Sequence, residues 1–110
     1  MAKKLFNWTA TVLKIVDGDT AYLDIDLGCK VHLKTNCRFD GINAPEIGTP
    51  GAAEAKAFVA EWMPVGSVVF VDSKMLDKYD RPVIVIKKTE TSKESLNQIM
   101  LDKGLAKVYQ

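Results

Sequence analysis

Hydrophobic and polar residues alternate most cleanly over 20–27 (TAYLDIDL), where Ala21, Leu23, Ile25 and Leu27 share one face and Tyr22, Asp24 and Asp26 the other. A period of two predicts a strand buried on one side. Residues 8–16 (WTATVLKIV), rich in Thr, Val and Ile, predict a strand before it, ended by the turn pair Asp17-Gly18. Gly28 starts the next turn, and a third extended stretch is expected within 30–42, bent around Thr35-Asn36. Residues 67–73 (SVVFVDS) and 82–87 (PVIVIK) are apolar runs of strand length, joined by the charged turn LDKYDR. The period changes at 52–63 (AAEAKAFVAEWM), where Ala55, Phe58, Val59 and Trp62 recur at i, i+3, i+4 and i+7. That stripe predicts a helix, and Pro64 stops it by pushing Met63 out of the helical region.

Residues 43–51 (NAPEIGTPG), with two prolines and two glycines, predict a loop. A last helix is expected over 95–103, with a capping-box pair in Ser95 and Gln98 and a stop at Gly104. The tail after it is expected to pack through Leu105 and Val108. The order is three strands, helix, two strands, helix. It predicts a mainly β fold with helices (α+β), matching a five-stranded Greek-key barrel of the OB type with two α-helices.

A chain of 110 residues predicts one domain, 1–110. No run approaches the ~18–20 apolar residues of a membrane span. The start, MAKKLFNWTATVLKIV, lacks a clean apolar core, so no signal peptide and a cytoplasmic location are expected. The net charge of +1 argues against a protein that coats nucleic acid by bulk charge, yet leaves room for a locally cationic site. Cys29 and Cys37 fit no metal or redox spacing and read as reduced thiols, and His32 reads as an ordinary strand residue.

The cations carry more information. There are thirteen lysines and two arginines, Arg38 and Arg81, so a guanidinium is used where its planar two-pronged geometry has a purpose. A structural ion pair is the competing explanation. Two carboxylates flank a glycine in Asp17-Gly18-Asp19-Thr20, a source of hard oxygen donors for a divalent cation or an acidic turn capping its own backbone. In RFDGINAPE (38–46), Arg38 and Asp40 share a strand face, with Asn43 and Glu46 around a stiff bend. That strand end can hold a guanidinium, an amide oxygen and a carboxylate together, or Arg38 can pair with Asp40 and Glu46 stay solvated.

In that order and context, DGDT, R-x-x-G-I-x-A-P-E, E-A-x-A-F (54–58), D-K-Y-x-R and N-x6-G-L-A-K-V (97–108) resemble the staphylococcal nuclease (thermonuclease) family, from about Thr11 through Tyr109. Spacing departs from the family in a longer segment between Thr20 and Arg38 and a shorter loop between Glu46 and Ala52. The resemblance implies a calcium-dependent hydrolase, an endonuclease cutting DNA, RNA or both to leave a 3′-phosphate and a 5′-hydroxyl. It implies that Asp19, Asn43 and the main-chain carbonyl of Ala44 ligate Ca²⁺, another divalent cation being an alternative. Arg38, Glu46 and Arg81 would be catalytic: the arginines clamp the phosphate and the glutamate directs the attacking water. Lys78, Tyr79 and Tyr109 would bind nucleotide. Asn43 stands where the family has an aspartate, and Asp80 where it has a glycine, so a left-handed turn is expected there. A monomer with no obligate protein partner is expected, and a phage or mobile-element origin fits a compact unexported member. The rival expectation is a catalytically weak or inactive module that binds nucleic acid or protein.

Overall fold

A computed structural model describes residues 6–109, and residues 1–5, on which part of the signal-peptide reading falls, lie outside the described residues. The first two strands, β1 (Phe6–Asp17) and β2 (Thr20–Gly28), form an antiparallel hairpin across the Asp17–Thr20 turn. Ala21, Leu23 and Ile25 are buried as the alternation requires, and Leu27 is half-buried at the rim. β3 (Val31–Phe39) runs straight back along β2, with Leu23 opposite Thr35 and Tyr22 opposite Asn36. The expected bend at Thr35-Asn36 is therefore absent: an unbroken ladder overrides the local turn preference of those two residues.

After a tight turn come β4 (Ile42–Asn43) and α1 (Ala52–Trp62). β5 (Val68–Leu76) and β6 (Pro82–Lys87) then form the second hairpin. β5 runs three residues past the expected end because an irregularity between Ser73 and Met75 lets pairing resume up to Leu76–Pro82. α2 (Leu96–Asp102) follows, then the two-residue strand β7 (Lys107–Val108), which pairs with β4. Strands β1-β2-β3-β6-β5 close into a barrel in which β3 and β6 are parallel and every other pair antiparallel. This is a five-stranded OB-type barrel with two helices.

The core fills with the inward residues of the strands, among them Val12, Leu23, Phe39, Val71, Ile84 and Ile86, each 0–1% exposed. Burying a side chain of this size stabilises the fold by about 1.5–3 kcal/mol. Ala55, Val59 and Met63 of the α1 segment are buried, with Phe58 and Trp62 partly so. Gly18 marks the closest approach of α1 to the barrel: a Cβ there would meet Ala55 Cβ at 2.7 Å and Ala44 Cβ at 2.8 Å. Gly18 is needed for space. At α2 the Ser95 hydroxyl accepts from the Gln98 N–H at 3.1 Å, but the Gln98 amide donates to Asp102, so only half of the expected capping box forms. Val108 is 64% exposed, against the packing expected of it, because pairing with Ile42 lays β7 along the surface. Among the described residues no helix is long and apolar enough to cross a membrane.

Candidate functional site

The turn between β1 and β2 sets the site's base. The Asp19 N–H donates to Asp17 Oδ1 at 3.0 Å, and the Asp19 carbonyl accepts the Phe39 N–H at 2.8 Å. Asp19 is only 8% exposed. Its Oδ1 accepts from the Thr20 hydroxyl at 3.0 Å and its Oδ2 from the Ala44 N–H at 2.9 Å. One buried carboxylate thus draws the Ala44 loop onto the β1–β2 turn, across 25 residues of chain.

Arg38, at the end of β3, lies over this carboxylate. Its Nη1 is 3.3 Å from Asp19 Oδ2 and donates to the Asp19 carbonyl at 3.3 Å and the Phe39 carbonyl at 3.4 Å. Its Nη2 donates to Asn43 Oδ1 at 3.2 Å, and the guanidinium lies 5.4 Å from the centre of the Tyr109 ring. Arg38 therefore joins Asp19, Asn43 and Tyr109. Asp40 lies on the Tyr109 side of this junction, in a groove of about 440 Å³.

The same groove holds Arg81, Lys78, Tyr79 and Tyr109. The 77–81 turn is organised by Asp77, whose Oδ1 accepts the N–H groups of Tyr79 (2.8 Å) and Arg81 (2.9 Å). Its Oδ2 accepts from Arg81 Nε at 2.8 Å, and the two terminal nitrogens of the fork have no hydrogen-bond partner among the described residues. Against the desolvation that acts to raise it, hydrogen bonds from the Arg81 and Tyr79 backbone and from the guanidinium hold the Asp77 carboxyl below its ordinary value of 3.8. Tyr79 lies between two cations, 5.4 Å from the Arg81 guanidinium and 5.2 Å from Lys78 Nζ. Asp80 has φ 61°, the left-handed conformation expected where a glycine would be at ease.

The remaining expected residues lie apart from the groove. Asn43, Ala44 and Glu46 line a neighbouring depression of about 350 Å³, together with Pro50 and the Gly104–Lys107 segment. The Arg38–Asn43 hydrogen bond connects the two. Glu46 is exposed, and its carboxylate has no hydrogen-bond or ion-pair partner among the described residues. So Arg38 and Arg81 share one groove, Asn43, Ala44 and Glu46 share the next, and Asp19 anchors the boundary from below.

Two contributors, Lys107 and Asn97, escaped the sequence reading as site residues, and a third, Asp17, was read only as one of the paired carboxylates. Asp17 was visible in DGDT, and it interacts with Asp19: burial first, then a hydrogen bond with Asp19 and its negative charge, push the Asp17 carboxyl above 3.8. The Asp19 N–H and the Arg38 charge act the other way. Lys107 stands opposite Asn43 in the β4–β7 pair and lines the Glu46 depression. Asn97, 6% exposed, accepts from the Ile86 N–H at 3.1 Å and donates to the carbonyls of Asp40 (2.8 Å) and Ile84 (3.1 Å). It fixes the turn that follows Arg38. A polar residue in a short helix gives no local sign of such a role.

A family model described as Staphylococcal nuclease homologue matches residues 36–110. The chain belongs to the staphylococcal nuclease family. No curated protein matches the chain. The match spans Arg38, Asn43–Glu46, Lys78–Arg81 and Tyr109, and the DGDT turn precedes it. A nuclease-like family and a nucleic-acid substrate follow from the membership at that level of generality.

The family implies a divalent cation, and the donor chemistry here fits a hard one. Asp17 and Asp19 supply carboxylate oxygens at close quarters, joined by the Asp19 N–H bond to Asp17 Oδ1, the hard donors a divalent cation takes. Asn43 Oδ1 and the Ala44 carbonyl are neutral oxygens of the kind Ca²⁺ accepts. Among the described residues no group of three or more His, Cys, Asp or Glu side chains is placed to hold a metal, so water would complete the shell.

Proposed function

We propose that this chain is a metal-dependent nuclease, hydrolysing phosphodiester bonds of DNA or RNA with Ca²⁺ as its ion. The observation that carries the reading is the placement of both arginines of the chain in one groove, with Arg38 bridging to Asp19 and Asn43. Two guanidiniums facing one groove suit a phosphate that gains negative charge as it becomes pentacoordinate. A monoanionic diester in that groove would meet the Nη atoms of Arg81, held in place by Asp77, and the guanidinium edge of Arg38. Tyr79 and Tyr109 offer ring faces to the adjoining base and sugar, and Lys78 a charge to the next phosphate.

Asp19, Asn43 and the Ala44 carbonyl would hold the ion, which when bound neutralises phosphate charge and stabilises the departing oxygen. Glu46, exposed and without a partner for its carboxylate among the described residues, would orient an attacking water and take its proton. The Arg38–Asn43 bond ties the residues that grip phosphate to those that would hold the ion.

The test is cleavage of labelled single-stranded DNA and RNA by the purified chain, with Ca²⁺, Mg²⁺ or Mn²⁺ at millimolar concentration, and with chelator. Divalent-dependent cleavage yielding 3′-phosphate ends, abolished by chelator, is expected. Folded protein that cuts neither polymer with any of the three ions would leave only a binding module.

A further inference from the structure

β7 is two residues long, and the chain enters it from the end of α2. Gly104, with φ 72°, closes the helix in the left-handed conformation, and the N–H groups of Leu105 and Ala106 donate to the Met100 carbonyl at 2.9 and 3.3 Å. Ala106 is buried and pins the segment, so Lys107 emerges exposed, directly opposite Asn43. Opposed residues of an antiparallel pair put their side chains on one face, with Cβ atoms about 4.5–5.5 Å apart. The ladder runs on, with Val108 opposite Ile42 and the Tyr109 N–H donating to the Gly41 carbonyl at 2.9 Å. One backbone segment therefore carries Tyr109, 5.4 Å from the Arg38 guanidinium, and, two positions earlier, Lys107 on the wall of the Glu46 depression.

Glu46 is the one anion and Lys107 the one cation that line this depression among the described residues. Neither the Glu46 carboxylate nor the Lys107 ammonium has an ion-pair partner there. Asn43 is part of the reason. A carboxylate directly opposite would pair with the ammonium, whereas the neutral amide turns its Oδ1 to Arg38 Nη2 at 3.2 Å. Two strand residues span ~6.6–6.8 Å, a step comparable to that between successive phosphates of an extended nucleic-acid strand. A polyanion that leaves Arg38 on this side is repelled by Glu46 unless a cation stands near, and Lys107 supplies one.

We infer that Lys107 binds the phosphate next in line to the one between Arg38 and Arg81, on the side of the Glu46 depression. The inference rests on the nuclease reading, and it adds that the strand crosses the site from Lys78 at one end to Lys107 at the other. Lysine suits the task, because a compact charge on a flexible stem can follow a phosphate that does not react. The two arginines are kept for the phosphate that does. A spectator phosphate is held equally in the ground and transition states, so this contact lowers KM and leaves kcat alone. Diesters with a phosphate on both sides of the cut are thereby preferred, which favours cleavage inside a chain.

Dinucleotides in thymidine and uridine form separate the contacts. One version has the scissile phosphate alone, a second adds a 5′-terminal phosphate and a third a 3′-terminal one. In the wild-type chain with millimolar Ca²⁺, each added phosphate is expected to raise kcat/KM about three- to fivefold through KM, the scale of one exposed ion pair. Lys107→Gln should abolish the gain from one of the two phosphates and Lys78→Gln the gain from the other, while Lys107→Arg keeps both. Binding of labelled octathymidylate in chelator, followed by fluorescence anisotropy across a salt series, should show a slope of log Kd against log salt smaller by about 0.7 in Lys107→Gln, the share of one phosphate on a single strand. A merely structural lysine would move the melting temperature but neither of these readings. Should Lys107→Gln not fold, Lys107→Ala carries the same expectation. A folded variant that keeps both phosphate gains, or the wild-type salt slope, overturns the contact. Wild-type protein that cuts no substrate, with a smaller salt slope in the variant, overturns the nuclease reading and keeps the contact. Wild-type protein that binds no octathymidylate overturns both.

Discussion

Replacing Arg81 with lysine keeps the charge and removes the fork. In the present geometry Nε is held by Asp77 at 2.8 Å, and Arg81 lines the groove that also contains Arg38. A lysine ammonium is a single point of charge: drawn to Asp77 it forms an ion pair, and drawn to phosphate it abandons the turn. Either way one bidentate contact made to the transition state is lost, worth ~3–4 kcal/mol, or a fall in kcat of roughly 10²–10³-fold. Stability should hardly change, because a partly exposed pair such as Arg81–Asp77 contributes about 0–1 kcal/mol. Arg38→Lys should lower kcat by a similar factor and also cost about 1–2 kcal/mol of stability. Its side chain, 15% exposed, surrenders hydrogen bonds to the Asp19 and Phe39 carbonyls and to Asn43. The double variant should lose less than the product of the two factors, since both groups act on one phosphate. The assay is steady-state cleavage of an oligonucleotide at saturating Ca²⁺, with thermal melts in parallel and the exposed Lys56→Arg on α1 as control. Lysine variants that fold and cut at the wild-type rate would refute the assignment of this groove as the phosphate site.

Gly18→Ala places a methyl 2.7–2.8 Å from Ala55 and Ala44, so it should destabilise by about 1–3 kcal/mol in denaturant melts and weaken divalent affinity by displacing Asp19. Asn43→Asp adds a charge next to the Asp17–Asp19 pair and should tighten Ca²⁺ about tenfold by calorimetry, or ~1.4 kcal/mol; equal affinities would show that Asn43 does not serve the ion. Asp77 sits below its ordinary 3.8 in the folded chain, so its stabilisation is full above that pH and is lost as pH falls through the lower folded value. The stability difference between wild type and Asp77→Asn should therefore be flat near neutrality and shrink below about pH 4, as read by denaturant melts across pH.

The barrel was legible because its strands carry burial on one face, and Ala21, Leu23 and Ile25 state that face directly. The two-residue strands β4 and β7 are too short to show any period, and what pairs them is α2 returning the chain beside Ile42. Once that pairing is in place Val108 turns outward and Lys107 stands against Asn43, two facts about partners that neither segment contains alone. The candidate site was legible as residue types in order. Its division into two depressions was not, because the bridge between them is one guanidinium reaching from β3 to Asn43. Gly18 looked like a turn residue, and its second task, admitting α1, depends on Ala55 arriving from 37 positions later.

The central claim is that one phosphate sits between Arg38 and Arg81 beside an ion held at Asp19. The most direct measurement is a crystal structure with Ca²⁺ and a short single-stranded phosphorothioate oligonucleotide, using the anomalous signal to place calcium. The account predicts calcium about 2.3–2.6 Å from an Asp19 carboxylate oxygen, with one phosphate in hydrogen-bond reach of both guanidiniums. Calcium bound away from the β1–β2 turn, or a phosphate touching neither arginine, would contradict it.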